Sequence, residues 1–419
     1  VRPKTYVTGD HDIDHSLIDA DALWVLKKLK DAGYIAYLVG GSVRDLLIKE
    51  APKDFDISTN AKPEEIKDVF KRQCLLIGRR FRLAHIRFGH KVIEVATFRS
   101  GDNESDLIIR DNQWGSEEED VLRRDFTING LCYDPTTRTI IDYVGGWEDI
   151  HKKLLRSIGD PRVRFKQDPV RMIRLLKFRA RIAFEIEEDS KKALLECRDE
   201  LLKSSPARIL EEFFRMLESG SAKPFFKMMH ATGLLKLIFP SLSSFLGGKS
   251  GKEIYHYLGM ADKINNNRGT QKLERAVLTS CLLYPILERE IKTQFIEKGI
   301  PVQIGHVLSL TSSLIKEVVT SSFAHFPKGI SATMGYIMSS QVRLTPPAGK
   351  RHFRTKLLQH KEFALALKFL KIRSLVDENL FEAYTTWNKV FKHQREQDDH
   401  RGHHHPAPPL HKKEEIPSQ

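Results

Sequence analysis

The sequence predicts an α+β chain in which an N-terminal mixed β-sheet with flanking helices is followed by an all-helical remainder. Three observations predict it. A short apolar run at 36–39 stops at two glycines, 91–99 alternates apolar and polar residues with the period of a strand, and from Lys153 onward the apolar spacing turns helical. In order, 19–32 reads as an amphipathic helix ended by Gly33, and 36–39 as a strand. Gly40 and Gly41 make a turn, and 43–48 opens the next helix. Phe55 and Ile57 alternate with Asp54 and Asp56, which places both carboxylates on one face of a strand. Beyond the sheet, 168–182, 190–202 and 207–219 read as helices, followed by others at 222–235, 252–264, 273–298 and 302–320.

The chemistry-bearing residues cluster in the first half. Glycines at a strand-to-helix turn admit unusual dihedrals and let backbone N–H groups approach phosphate closely. Two hard carboxylate ligands, Asp54 and Asp56, suit Mg²⁺, which keeps water and substrate phosphate in its other positions. Glu94, the one acidic residue of its strand, is a third candidate ligand, or else a solvent-facing side chain. Arg123 and Arg124 can clamp phosphate by forked hydrogen bonds, with Asp125 or Asn129 holding ribose hydroxyls; a charged surface helix is the other reading. Asp168 and Arg171 stand three apart and are expected to share a helical face, either as a plain ion pair or as an acceptor and donor for a base edge. Adenine and cytosine both offer the matching amine and ring nitrogen, so the pair does not choose between them.

Together, LVGGSVRD, DFDISTNA, EVATFR, RRDFTIN, DYVGGWEDI and QDPVRMIRLLKF resemble, in this order, the class II nucleotidyltransferases, which comprise tRNA CCA-adding enzymes and bacterial-type poly(A) polymerases. The resemblance covers roughly 18–240 and thins beyond. LLIGRRFRLAHIRFG, at 75–89, is similar to the signature of the poly(A) polymerase branch. By resemblance, Asp54 and Asp56 bind catalytic Mg²⁺, with Mn²⁺ as a substitute, and Glu94 is a weaker third ligand. Gly40, Gly41, Ser42 and Arg44 surround the triphosphate. Arg124, Asp125 and Asn129 contact phosphate or ribose, and Asp168, Arg171 and Arg174 belong to the nucleotide site. The expected activity is template-independent addition of AMP from ATP to RNA 3′ ends, on mRNA or tRNA, with CCA addition using CTP and ATP as the alternative and a non-catalytic RNA-binding paralogue as a further one. Two departures stand out: Gln167 replaces a usual Glu, and the glycine turn reads GGS where a third glycine is usual in the poly(A) branch.

The organisation expected is a catalytic head at 1–152, a base-recognising helical neck at 153–220, an RNA-binding helical body and tail at 221–392, and a disordered polar tail at 393–419. A formal charge of +13 and a pI near 9.4 suit a phosphate-backbone partner. No stretch approaches the ~20 apolar residues of a membrane span, so no membrane partner is expected. Cys74, Cys132, Cys197 and Cys281 are dispersed and read as reduced thiols of an intracellular protein, mitochondrial, plastid or nucleocytoplasmic. His85 reads as a structural or RNA-facing histidine rather than a general base. Lys350, Arg351, Arg354 and Lys356 form a basic run, and His403, His404 and His405 sit in the polar tail. No adjacent His-Asp pair follows Gly220, which argues against a phosphohydrolase of that type.

Overall fold

The computed structural model describes residues 2–78, 83–100, 113–249, 251–267, 269–323, 325–345 and 355–402. Arg79, Arg80, the basic run at Lys350, Arg351 and Arg354, and the histidines at 403–405 lie outside them; Lys356 is described and exposed.

The chain divides into two compact units, one of residues 1–216 with 224–240 and one of residues 217–223 with 241–419. The first contains an eight-stranded mixed sheet. Its strands are β1 (Lys4–Tyr6), β2 (Ala36–Val39), β3 (Asp56–Thr59), β4 (Cys74–Ile77), β5 (Leu83–Phe88), β6 (Lys91–Thr97), β9 (Leu131–Asp134) and β10 (Thr139–Asp142), with β7 (Arg99–Ser100) and β8 (Gln113–Trp114) forming a separate two-stranded ribbon. The order is β1-β10-β9-β2-β3-β6-β5-β4, antiparallel throughout except for the parallel pair β3 and β6. That pair sets Asp56 opposite Glu94.

Helix α1 (Ala20–Asp31) starts where the Asp19 carboxylate accepts from the N–H groups of Asp21 and Ala22. Its buried residues Ala22, Val25, Leu26 and Leu29 recur at helical spacing, so one stripe is covered while the lysines stay outside. The short α2 (Gly41–Leu47) follows β2 directly, α3 (Pro63–Phe70) follows β3, and α4 (Glu117–Leu122) is opened by a capping box between Ser116 and Glu119. After α5 (Gly146–His151), the same unit continues through α6 (Pro161–Gln167), α7 (Val170–Ile182), α8 (Glu188–Cys197) and α9 (Pro206–Glu218). The expected strand through Asp54 starts two residues later: Asp54 precedes β3, although the alternation of buried Phe55 and Ile57 with exposed Asp54 and Asp56 holds.

The second unit is helical, with long helices at Gly251–Asn266, Arg275–Ile291, Ile304–Ile315, Lys328–Leu344, Phe363–Val376 and Phe381–Gly402. Leu344, Leu357, Phe363, Leu367, Leu370 and Trp387 form one apolar cluster. Arg373 is buried in the same unit, and its guanidinium reaches Glu288 at 3.0 Å and lies 4.7 Å from the Tyr284 ring, so the buried charge is met by an anion and a π-face. The expected polar tail from His393 is corrected at its start, since the last helix carries the chain on to Gly402. Among the described residues no helix is long and apolar enough to cross a membrane. All four cysteines are buried and unpaired.

Candidate active site

Gly40 ends β2 with φ +70° and ψ −129°, a backbone conformation that a side chain strains, and a Cβ added there would lie 3.0 Å from Arg124 Nη1. Glycine thus lets the strand-to-helix turn come against an arginine from another part of the chain. Gly41 begins α2, and Arg44, one turn on, is tied down from three sides. Its Nε and Nη2 donate to Asp45, its Nη1 donates to Asn129 Oδ1 at 2.6 Å, and its guanidinium lies 4.9 Å from the Phe178 ring. Ser42 is buried and its hydroxyl donates to Val39 O at 3.1 Å, so the side chain serves the turn.

The segment after α4 is held by the loop that follows β10. Asp142 accepts from the N–H groups of Val144, Gly145, Gly146 and Trp147, which curls DYVGGWEDI around one carboxylate. Asp149 on α5 then accepts from Thr127 Oγ1 at 2.7 Å, and Gly146 packs so closely that an added Cβ would lie 2.1 Å from Thr127 O. This fixes the turn Thr127–Asn129 and with it Asp125 and Asn129. Asp125 is buried, accepts from Phe126 N–H and Asn129 Nδ2, and pairs with Arg174 at 2.8 Å. Burial pushes its carboxyl up, but Arg174, Asn129, Arg171 and the Phe126 N–H outweigh burial and hold it below the ordinary range. Arg124 donates to Asp120 at 2.9 Å and to Ser58 at 3.2 Å. Burial works against its charge; Asp120, Cys132 and Asp125 together more than restore it.

Asp56 opens into solvent within the cleft while protein surrounds its base. Burial, Glu94 and Asp54 push its carboxyl up to about 6, with Arg124 opposing. Asp54 and Glu94 both act on the Asp56 carboxylate, and a divalent cation is a counter-charge that would offset them. Among the described residues, however, no three His, Cys, Asp or Glu side chains converge as a ready-made metal cage. Glu94 lies beside Asp56 in the sheet, and its carboxylate is 3.3 Å from His85 Nε2. His85 therefore has a local partner and stands outside the cleft lining.

The neck supplies the opposite wall, with one correction. Asp168 is not on a shared helical face with Arg171: it caps the end of α6 with φ −144° and ψ 87°, and α7 begins after Pro169. A residue before proline is pushed out of the helical region, and the sequence carried that signal. The two charges approach only to 3.9 Å. Asp168 is instead gripped by Arg208 of α9, whose Nη1 and Nη2 donate to the two carboxylate oxygens at 2.9 and 3.0 Å. Arg171 donates Nη2 to Arg123 O at 2.7 Å, while its buried Nη1 has no partner. Gln167 accepts from Arg164 Nη1 at 3.2 Å, and Arg164 also donates to Leu122 O and Arg124 O. The amide at 167 is thus part of the joint between neck and α4.

These residues enclose a cleft of about 350 Å³. Gly40, Gly41, Arg44, Asp56, Arg124, Asp125, Asn129, Asp168, Arg171 and Arg174 line it, together with Arg123, Lys177, Phe178 and Arg181. Ser42, Asp54 and Glu94 do not. Lys177, Phe178 and Arg181 continue the face of α7 that Arg171 and Arg174 occupy, and helical spacing from Arg171 could have found Phe178 and Arg181. Arg208 left no such signal, since its contact spans 40 residues. Within the lining, seven cationic side chains face three carboxylates, so the cleft is built for an anion.

A glycine turn opposite a strand-borne aspartate, closed by a helical segment rich in arginine, makes a cleft for an anionic ligand. The sequence profile of the Poly A polymerase head domain matches residues 36–156, that of the probable RNA and SrmB-binding site of polymerase A matches 183–246, and that of the polymerase A arginine-rich C-terminus matches 312–416. Poly(A) polymerase I of Salmonella typhi is 36% identical over 384 residues, covering 88% of this chain and 81% of its own. The CCA-adding enzyme of Lactobacillus helveticus is 36% identical over 239 residues, covering 57% and 58%. In fold, the chain is similar to the crystal structure of the Bacillus stearothermophilus CCA-adding enzyme in complex with CTP, with a TM-score of 0.58 at 23% identity over 87% of this chain and 82% of that one. The chain belongs to the class II RNA nucleotidyltransferase family, to which poly(A) polymerase I and the CCA-adding enzymes also belong.

Proposed function

We propose that this protein is a polynucleotide adenylyltransferase that adds AMP from ATP to RNA 3′ ends without a template. The observation that carries the choice is the reach of the likeness: similarity to poly(A) polymerase I runs over 88% of the chain, whereas similarity to the CCA-adding enzyme stops at 57%. The geometry supports nucleotide binding in a particular orientation. Arg171 presents an unpartnered donor, and Asp168 keeps lone pairs free beyond those Arg208 occupies, so the two meet the ring nitrogen and exocyclic amine of adenine. Asp125 and Asn129 lie beside the ribose, and the turn at Gly40 and Gly41, with Arg44 and Arg124, receives the triphosphate.

In the reaction, the 3′-hydroxyl gives up its proton to solvent as its oxygen forms a bond to the α-phosphorus, the bond from that phosphorus to the α–β bridging oxygen breaks, and pyrophosphate leaves with the electron pair. Asp54 and Asp56 would hold Mg²⁺ or Mn²⁺, which when bound lowers the pKa of the attacking hydroxyl and neutralises the leaving group. Arg124 fixes phosphate from the side of the glycine turn, and Arg174 keeps Asp125 ionised. The double variant Asp54→Ala with Asp56→Ala tests the assignment. Primer extension should be lost while RNA binding by gel shift persists; retained extension would contradict it.

A further inference from the structure

We propose that Arg181, at the far end of α7, is the side chain that takes the terminal phosphates of the nucleotide and then the departing pyrophosphate. This rests on the nucleotidyltransferase reading above. Most cations of the cleft are already committed: Arg44, Arg124, Arg174 and Lys177 each hold a carboxylate within 2.9 Å. Arg181 does not. Among the described residues no carboxylate lies within ion-pair distance of it, and Asp45, the acidic group that faces it, is already engaged by two nitrogens of Arg44. Arg181 is exposed and lines the cleft, so its charge is solvated until an anion arrives with the ligand, and the Arg44 guanidinium adds to the positive field there.

Its position says which part of the ligand. Arg171, whose free Nη1 marks the base end, and Arg181 stand ten residues apart on one helix, about 15 Å along its axis. A nucleoside triphosphate laid along the cleft spans that distance from base edge to terminal phosphate. Arg44 marks the same end, since its guanidinium lies between the Phe178 ring, at 4.9 Å, and Gly41, whose added Cβ would be 3.5 Å from Nη2. The glycine turn and Arg124 then face the reacting phosphorus, and Arg181 lies beyond it.

Calorimetric titration of the full chain with ATP, AMP and inorganic pyrophosphate, in Mg²⁺, tests this. Arg181→Ala should weaken ATP and pyrophosphate binding roughly tenfold or more, the loss of a charge-assisted contact, and leave AMP affinity unchanged; Arg181→Lys should restore most of it. Equal losses for ATP and AMP, unchanged ATP affinity, or a loss confined to RNA binding would overturn the assignment. Arg181→Gln, which keeps the stem length, serves if the Ala variant fails to fold. A wild-type chain that binds ATP through Arg181 but extends no primer would sink the proposed function and spare this inference, whereas binding of neither ATP nor pyrophosphate would sink both.

Discussion

At Asp168 the carboxylate is aimed by Arg208 and not by its neighbour three residues on. Arg208→Ala should therefore lower kcat/KM for ATP about tenfold and narrow the ATP to CTP ratio, because the acceptor of the proposed base-reading pair then swings. Lys in its place should recover only part, since an ammonium cannot reproduce the fork. Steady-state extension with each nucleotide reads both effects; an unchanged ratio would count against rigidity as the source of selection. Gln167 carries the opposite expectation. Its amide oxygen accepts from Arg164 Nη1, so Gln167→Glu should turn that contact into an ion pair and change kcat/KM by less than about fivefold, the scale of a partly exposed pair. The sequence made the residue types legible here and not their partners: Asp168 and Arg171 could be picked out from their spacing, but the chain bends at Pro169, and the side chain that fixes Asp168 comes from 40 residues away.

Among the elements, the strand-turn-helix and the loop after β10 do the positioning. The first was legible because an apolar run ending in two glycines has few other meanings, and Gly40 at φ +70° bears it out. The role of the second was not, since nothing in GGW announces that Gly146 abuts Thr127. Gly146→Ala places a methyl 2.1 Å from a backbone oxygen of the turn that carries Asn129. The account expects a loss of about 1–3 kcal/mol of stability, measured by urea unfolding, with ATP affinity falling alongside it. Full stability and affinity would show that the turn yields without cost and that its placement does not depend on the glycine.

For the whole molecule, charge was legible and the surface it serves was not. The +13 balance points to a polyanion, and RNA affinity measured across a salt series should fall steeply, because releasing counter-ions on binding gains less as the bulk salt rises. Yet the basic run at Lys350, Arg351, Arg354 and Lys356 lies mostly outside the described residues. Acid stability is the second global property. The Asp125 carboxyl sits below its ordinary value, so it contributes stability that is fully present above about pH 4, the unfolded value, and that is lost as pH falls through the depressed folded value. Asp125→Asn should flatten the fall in Tm below pH 4, and an unchanged acid slope would contradict the assignment of that stability to Asp125 and Arg174.

The measurement closest to the central claim is primer extension with Mg²⁺, offering ATP alone, CTP alone or both to an oligo(A) primer and to a tRNA lacking its CCA end. The account predicts a long ladder from ATP on either RNA and little from CTP. Ordered addition of C, C and A on the tRNA followed by a stop would make the protein a CCA-adding enzyme and contradict the proposal, and no product on either RNA would contradict catalysis itself.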